Sequence, residues 1–178
     1  YLFFWSFSEK LIIYLIGTTF LTHHICIWMD TMDKRDKRKK RVFQLGILLL
    51  LGTILCLKYR NFFFGNVSKL AMVLHIDWSY QDQLIFLPIG ISFYTFQALS
   101  YVIDVYRGEV PAQHNFWHML LYISFFPQLI AGPIVKYRDI AAQITGRKET
   151  IRKFAAGIMR FCWGLGKKVL LANSFARV

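Results

Sequence analysis

Gln97, Ser100 and Asp104 fall at i, i+3 and i+7 inside the apolar run LIFLPIGISFYTFQALSYVIDVY (84–106). On a helix that spacing places an amide, a hydroxyl and a carboxylate on one face, with Phe93 one turn earlier. Together they offer hydrogen-bond donors, acceptors and one anionic partner for a cation or a proton. Such groups are costly at membrane depth unless they face protein or water, so the stripe is expected to point inward. The plainer reading makes it hydrogen-bonded glue between helices, which suits Ser100. Asp104 then does no more than pair with Arg107 at the end of the run.

The other candidate groups are weaker. Five histidines occur, His23, His24, His75, His114 and His118. His23 and His24 are adjacent and point about 100° apart on a helix, so they cannot share one metal ion. His114 and His118 flank a polar loop without carboxylate company, no HExxH is present, and no metal site is predicted. GLGKK (164–168) fails as a phosphate loop, because Phe161 stands where the first glycine belongs and Lys168 where Ser or Thr belongs. No G-x-S-x-G elbow occurs. Cys26, Cys56 and Cys162 are isolated in apolar stretches, which speaks against a zinc site or a disulfide framework and for small buried side chains.

These groups must be positioned by apolar elements. The chain has 178 residues, 56% hydrophobic and 17% aromatic, with only 18% charged. Its long uninterrupted apolar blocks place it among integral membrane proteins. Crossing the hydrocarbon takes about 20 residues of helix. Four blocks approach that length, 11–28, 42–59, 84–106 and 117–135, and a further one is expected to begin near 154–175. The net charge is +12, and much of it sits in MDKRDKRKKR (32–41) between two apolar blocks. That placement indicates a cytoplasmic loop and not a nucleic-acid surface. Residues 60–80 are then external, with the aromatic 61–78 stretch suited to the interface. The chain begins and stops without initiating or terminating signals and is expected to be an internal piece of a longer protein.

The fourth block contains SFFPQLIAGPIVKYRD (124–139), interrupted by Pro127 and by Gly132-Pro133. Both of its flanks are basic or cytoplasmic by the loop rule, which predicts a re-entrant or broken helix lining a cavity. A plain crossing with a proline kink is the alternative. From Glu149 onward, Ile151, Phe154, Ala155, Ile158, Phe161, Cys162 and Leu165 recur at helical spacing, an amphipathic helix lying in the interface or packed on its neighbours.

Longer stretches carry a family likeness. FLPIGISFYTFQALSYVIDVYRGEV, NFWHMLLYISFFPQLIAGPIVKYRD, LKYRNFFFGNV and the GLGKK helix together resemble the membrane-bound O-acyltransferase (MBOAT) superfamily, in the branch typified by alginate O-acetyltransferase. YLFFWSFSEKLIIYLIGTTF resembles that family's second-helix region, so the likeness covers essentially the whole chain.

The resemblance implies an all-α, polytopic helical MBOAT-type fold, here partial, with residues 1–178 as one transmembrane domain from the N-terminal part of a longer chain. It implies a multi-pass enzyme of the bacterial inner (cytoplasmic) membrane that moves acetyl groups onto hydroxyls of an extracellular or cell-envelope polysaccharide. The family's catalytic histidine is expected beyond residue 178, in a motif that this chain lacks, so no catalytic residue is assigned here. Tyr94, Gln97, Asp104, Pro127, Gln128, Gly132, Pro133, Tyr137 and Arg138 are expected to line a substrate path or channel wall. Lys136 and Arg138 are candidates for greeting an anionic donor, or serve only as positive-inside anchors. No bound cofactor is predicted, and an acyl thioester enters as co-substrate. The partners implied are the bilayer, the polysaccharide acceptor and other envelope acetylation proteins or an acyl carrier, with no nucleic acid. Rival readings are a transporter or channel, a non-catalytic scaffold, and a relative that D-alanylates teichoic acids.

Overall fold

Thr18, Thr19 and Thr22 show how this chain buries polar groups: each hydroxyl donates to the carbonyl four residues back, at 2.8, 2.8 and 2.7 Å. The helix thereby satisfies its own side chains and presents a hydrocarbon surface. That helix, α1 (Ile12–Asp30), buries Leu15, Thr18, Thr19, Thr22, Ile25, Cys26 and Met29 along one stripe. The computed structural model describes residues 12–33, 36–75, 88, 90–129 and 132–176. Parts of the expected third and fourth blocks, 84–87, 89 and 130–131, lie outside the described residues, as do 34–35 of the basic run and most of the N-terminal stretch that carries the family likeness.

α2 (Lys37–Lys58) begins at Asp36, whose side chain accepts from the Arg38 N–H at 2.7 Å. It buries Val42, Gly46, Leu50 and Ile54 and leaves Leu45, Leu48, Leu49, Leu51 and Leu55 exposed, a leucine surface suited to acyl chains. α1 and α2 are each long and apolar enough to cross a membrane. After the break at Tyr59 the chain continues as α3 (Arg60–Val73). Its outward aromatics, Phe62 and Phe63 among them, suit the interfacial placement expected of 61–78.

α4 (Ile91–Arg107) is the hub, packed against both α1 and α2. Tyr94, Ala98, Tyr101 and Val102 are fully buried in it. Its C-terminus closes on Gly108 at φ 74°, with the Glu109 N–H returning to the Asp104 carbonyl at 2.9 Å and the Gly108 N–H to Val105 at 3.0 Å. This two-bond cap needs a left-handed residue, which glycine supplies without a Cβ penalty. α5 (Phe116–Ser124) starts at Asn115, whose side chain accepts from the Trp117 and His118 N–H groups. α5 packs on α1 and α4.

The fourth block is broken, as its prolines predict. α5 ends at Ser124 and Phe125 takes an extended conformation. A single turn, α6 (Phe126–Leu129), follows, then non-helical chain over 132–136, then α7 (Tyr137–Gly146). The expected burial of all three cysteines fails: Cys26 is buried, whereas Cys56 and Cys162 are exposed.

The chain divides into two compact units, Tyr1–Ala141 and Ala142–Val178. In the second, Thr150 caps α8 (Ile151–Lys167) by accepting from the Lys153 N–H at 3.2 Å. The expected amphipathic helix is present, and it runs into a π-helical turn, Lys168–Ala172, and a last short helix, α9 (Asn173–Phe175). Among the described residues there is no strand.

Replacing Gly108 by Ala is expected to cost about 1–2 kcal/mol, the penalty for holding a side chain in the left-handed region. Gly17→Ala, whose added methyl meets nothing within 4 Å, is expected to be neutral or to gain about 0.5–1 kcal/mol. Thermal unfolding of the detergent-solubilised protein distinguishes the two.

Candidate functional site: a clasped break beside the central helix

Breaking a helix at membrane depth orphans carbonyls that no water can serve. α5 ends at Ser124, so the Tyr122 carbonyl has no N–H ahead of it in its own helix, and Pro127 has none to offer Ile123. Gln97, 2% exposed on α4, supplies the missing donor. Its Nε2 group donates to the Tyr122 carbonyl at 2.9 Å and to Oε1 of Gln128 at 2.7 Å. One amide thus holds both sides of the break, α5 through its backbone and α6 through a side chain.

Gly132 makes the return possible. A Cβ there would lie 2.6 Å from the Cα of Gln128 and collide with the Pro127 carbonyl oxygen. Those atoms are backbone, so no rotamer change relieves the clash. Residue 132 can lie this close to α6 because it has no side chain. Beyond it, the Tyr122 hydroxyl donates to the Val135 carbonyl at 2.9 Å and pins the returning segment.

Three tyrosines close the structure. Tyr101, Tyr122 and Tyr137 meet edge to face, with centroid separations of 6.2, 5.0 and 5.1 Å. Gln113 ties two of them together: its N–H donates to the Tyr101 hydroxyl at 2.7 Å and its side-chain amide to the Tyr137 hydroxyl at 2.8 Å. At the rim, Arg138 pairs with Glu109 at 3.0 Å, and Arg107 approaches the same carboxylate at 3.7 Å. These rim pairs are exposed and worth less than about 1 kcal/mol each.

The expected wall residues therefore separate. Gln97, Pro127, Gln128, Gly132 and Tyr137 meet around the break, with Arg138 at its edge. Tyr94 is wholly buried one turn before Gln97 and joins none of these hydrogen bonds. Pro133 is exposed. Asp104 is buried, but it does not pair with Arg107, whose ion pair goes to Glu109 because the cap at Gly108 turns Glu109 back over the helix end.

Sequence reasoning missed Tyr101, Tyr122, Gln113 and Glu109. Tyr101 carried a signal, four residues after Gln97 and three before Asp104 on the same face. Gln113 sits in a polar loop and carried none.

The histidines stay apart from this site. His23 is buried, with Nε2 at 3.1 Å from the His114 carbonyl, while its neighbour His24 is exposed. Among the described residues no group of three or more His, Cys, Asp or Glu could hold a metal ion. What the site offers is shape and directed amide and hydroxyl groups. Gln128 Nε2 has no acceptor among the described hydrogen bonds.

Gln97→Glu preserves size but cannot donate when ionised, and Gln97→Leu removes the donor outright. Either is expected to cost about 1–2 kcal/mol, the upper range for a hydrogen bond between membrane helices. Gly132→Ala is expected to cost more, about 1–3 kcal/mol, because backbone must move. Melting curves in detergent check the order.

Residues 107–176 match the membrane-bound O-acyltransferase family, MBOAT. The chain is 34% identical over 176 residues to "Probable alginate O-acetylase AlgI" of Pseudomonas aeruginosa, covering 99% of this chain and 34% of that protein. It is 48% identical over 94 residues to the protein of the same name from Pseudomonas fluorescens, covering 53% of this chain and 19% of that one. With "Peptidoglycan O-acetyltransferase" of Helicobacter pylori it shares 27% identity over 205 aligned positions, 98% of this chain and 37% of that protein. The chain spans about a third of the length of the Pseudomonas aeruginosa and Pseudomonas syringae relatives that it matches nearly end to end. No solved structure matches. The Gln97 clasp and the helix end at Gly108 lie within the stretch aligned with the Pseudomonas aeruginosa relative, and residues 107–176 carry the likeness to the membrane-bound O-acyltransferase family.

Proposed function

We propose that this chain forms part of the wall of a substrate path in a multi-pass enzyme of the bacterial cytoplasmic membrane. The whole protein transfers acetyl groups to hydroxyls of an envelope polysaccharide. The observation that carries this reading is the Gln97 clasp on a break that Gly132 alone permits. A membrane protein maintains interrupted backbone at depth where it is buried in protein or borders a cavity, and relatives aligned over this stretch are named "Probable alginate O-acetylase AlgI" and "Peptidoglycan O-acetyltransferase".

In this reading the basic run 32–41 and the basic stretch 136–153 face the cytoplasm, from which an acyl thioester enters as donor, free or on a carrier protein. A histidine outside these residues takes the proton from a sugar hydroxyl. The sugar oxygen then bonds to the acyl carbon, the carbon–sulfur bond breaks, and the thiolate leaves to be protonated. Gln97 does not touch the reacting atoms; it holds the wall past which they move. Lys136 and Arg138 stand at the mouth on the cytoplasmic side.

The test uses a strain deleted for the complete gene and quantifies ester-linked acetyl on purified envelope polysaccharide. The intact gene is expected to restore acetylation, and a His→Ala change at the family's membrane histidine to abolish it. Gln97→Leu is expected to reduce it at least about tenfold, since misplacement by an ångström or so costs that much or more. Restoration of D-alanyl ester without acetyl would assign the D-alanyl branch, and restoration of neither by a stably inserted protein would overturn the acyltransferase reading.

A further inference from the structure

Asp104 is 3% exposed, and its Oδ2 has no hydrogen-bond partner among the described residues. A buried carboxylate oxygen without a partner is an expensive arrangement, and it marks Asp104 as a candidate for contact with a ligand cation. The cation nearest in sequence, Arg107, lies one turn on but is drawn toward Glu109 at 3.7 Å. Asp104 lines an open groove of about 570 Å³ together with Ser100, Arg107 and Lys136. No carboxylate pairs with Lys136 among the described ion pairs. The rest of the groove is apolar, with Ile47 of α2, Phe96 of α4 and Ile134 of the returning segment among its walls.

The dimensions and the order of chemistry point to one kind of occupant. From Phe96 to Arg107 the helix rises about 16 Å, close to half of the roughly 30 Å hydrocarbon core. The apolar part of that rise, Phe96 to Ile103, is about 10 Å, and the charges gather at one end. There an acid, buried and unpaired, lies beside two bases. An anionic headgroup alone would satisfy the bases and leave Asp104 unpaired. A choline headgroup brings a positive charge but no N–H to donate.

We propose that this groove binds a single phospholipid with a primary-amine headgroup. Its ammonium donates to Asp104, its phosphate lies between Arg107 and Lys136, and one acyl chain runs along Ile47, Phe96 and Ile134. This lipid is a bound component of the wall and not a substrate, so the assignment stands apart from the acetyl-transfer reading.

The experiment purifies the complete protein, equilibrates it with equal amounts of chain-matched phosphatidylethanolamine, phosphatidylcholine and phosphatidylglycerol, and counts retained lipid by native mass spectrometry. Phosphatidylethanolamine is expected to exceed each of the others by about tenfold, the advantage of one charge-assisted hydrogen bond. Asp104→Asn is expected to abolish the preference over phosphatidylcholine. Arg107→Gln with Lys136→Gln is expected to lower retention of all three. Where Asp104→Asn does not fold, the wild-type protein is tested with mono-, di- and trimethylated ethanolamine lipids, and retention is expected to be lost by the trimethyl form, which has no N–H. Equal retention across that series, a preference for phosphatidylglycerol, or a preference that survives Asp104→Asn overturns the proposal.

Discussion

A backbone interrupted inside a membrane must complete its hydrogen bonds with protein, because no water is at hand. The arrangement around the fourth block follows from that constraint. The break at Phe125 and Pro127 frees carbonyls in the last turn of α5, and Gln97 answers with a donor from the neighbouring helix, 2.9 Å from the Tyr122 carbonyl. The same nitrogen fixes Gln128 at 2.7 Å. Without a donor on α4 at that height, the break would have to straighten or admit water.

The clasp in turn demands that α4 be held rigidly, and the fold places α4 at the centre. It is buried against α1 and α2 along most of its length, with Tyr94, Ala98, Tyr101 and Val102 fully enclosed. α1 contributes threonines that satisfy themselves and so pack as hydrocarbon. Gly46 of α2 admits Ile25 to within 3.0 Å of where its own Cβ would stand, which draws the three helices together. Steric fit, more than any single hydrogen bond, fixes the geometry: a membrane hydrogen bond averages about 0.6 kcal/mol, whereas a side chain at residue 132 would have to displace main chain.

Polar groups here divide by depth and by burial. Those that bridge the break are buried and paired, whereas the Arg138–Glu109–Arg107 cluster is exposed and orders the rim without contributing much stability. Asp104 belongs to neither set. It is enclosed like the first and unpaired at Oδ2.

From the sequence alone came the helical class, the apolar blocks, the amphipathic helix after Glu149, the polar spacing of 97–104 and the break in 117–135. All are local properties: hydropathy period, proline's missing N–H and the spacing of side chains on a helix depend on neighbours in the chain. Tertiary structure decided the partners. That Gln97 serves Tyr122 and Gln128, that Glu109 and not Asp104 takes Arg107, and that Gln113 joins Tyr101 to Tyr137 depend on which helices lie side by side and how far each has turned. Gly132 shows the division most plainly. Its position beside Pro133 announces a bend, but its necessity shows only in the geometry of the turn, where the Gln128 Cα lies 2.6 Å from the missing Cβ.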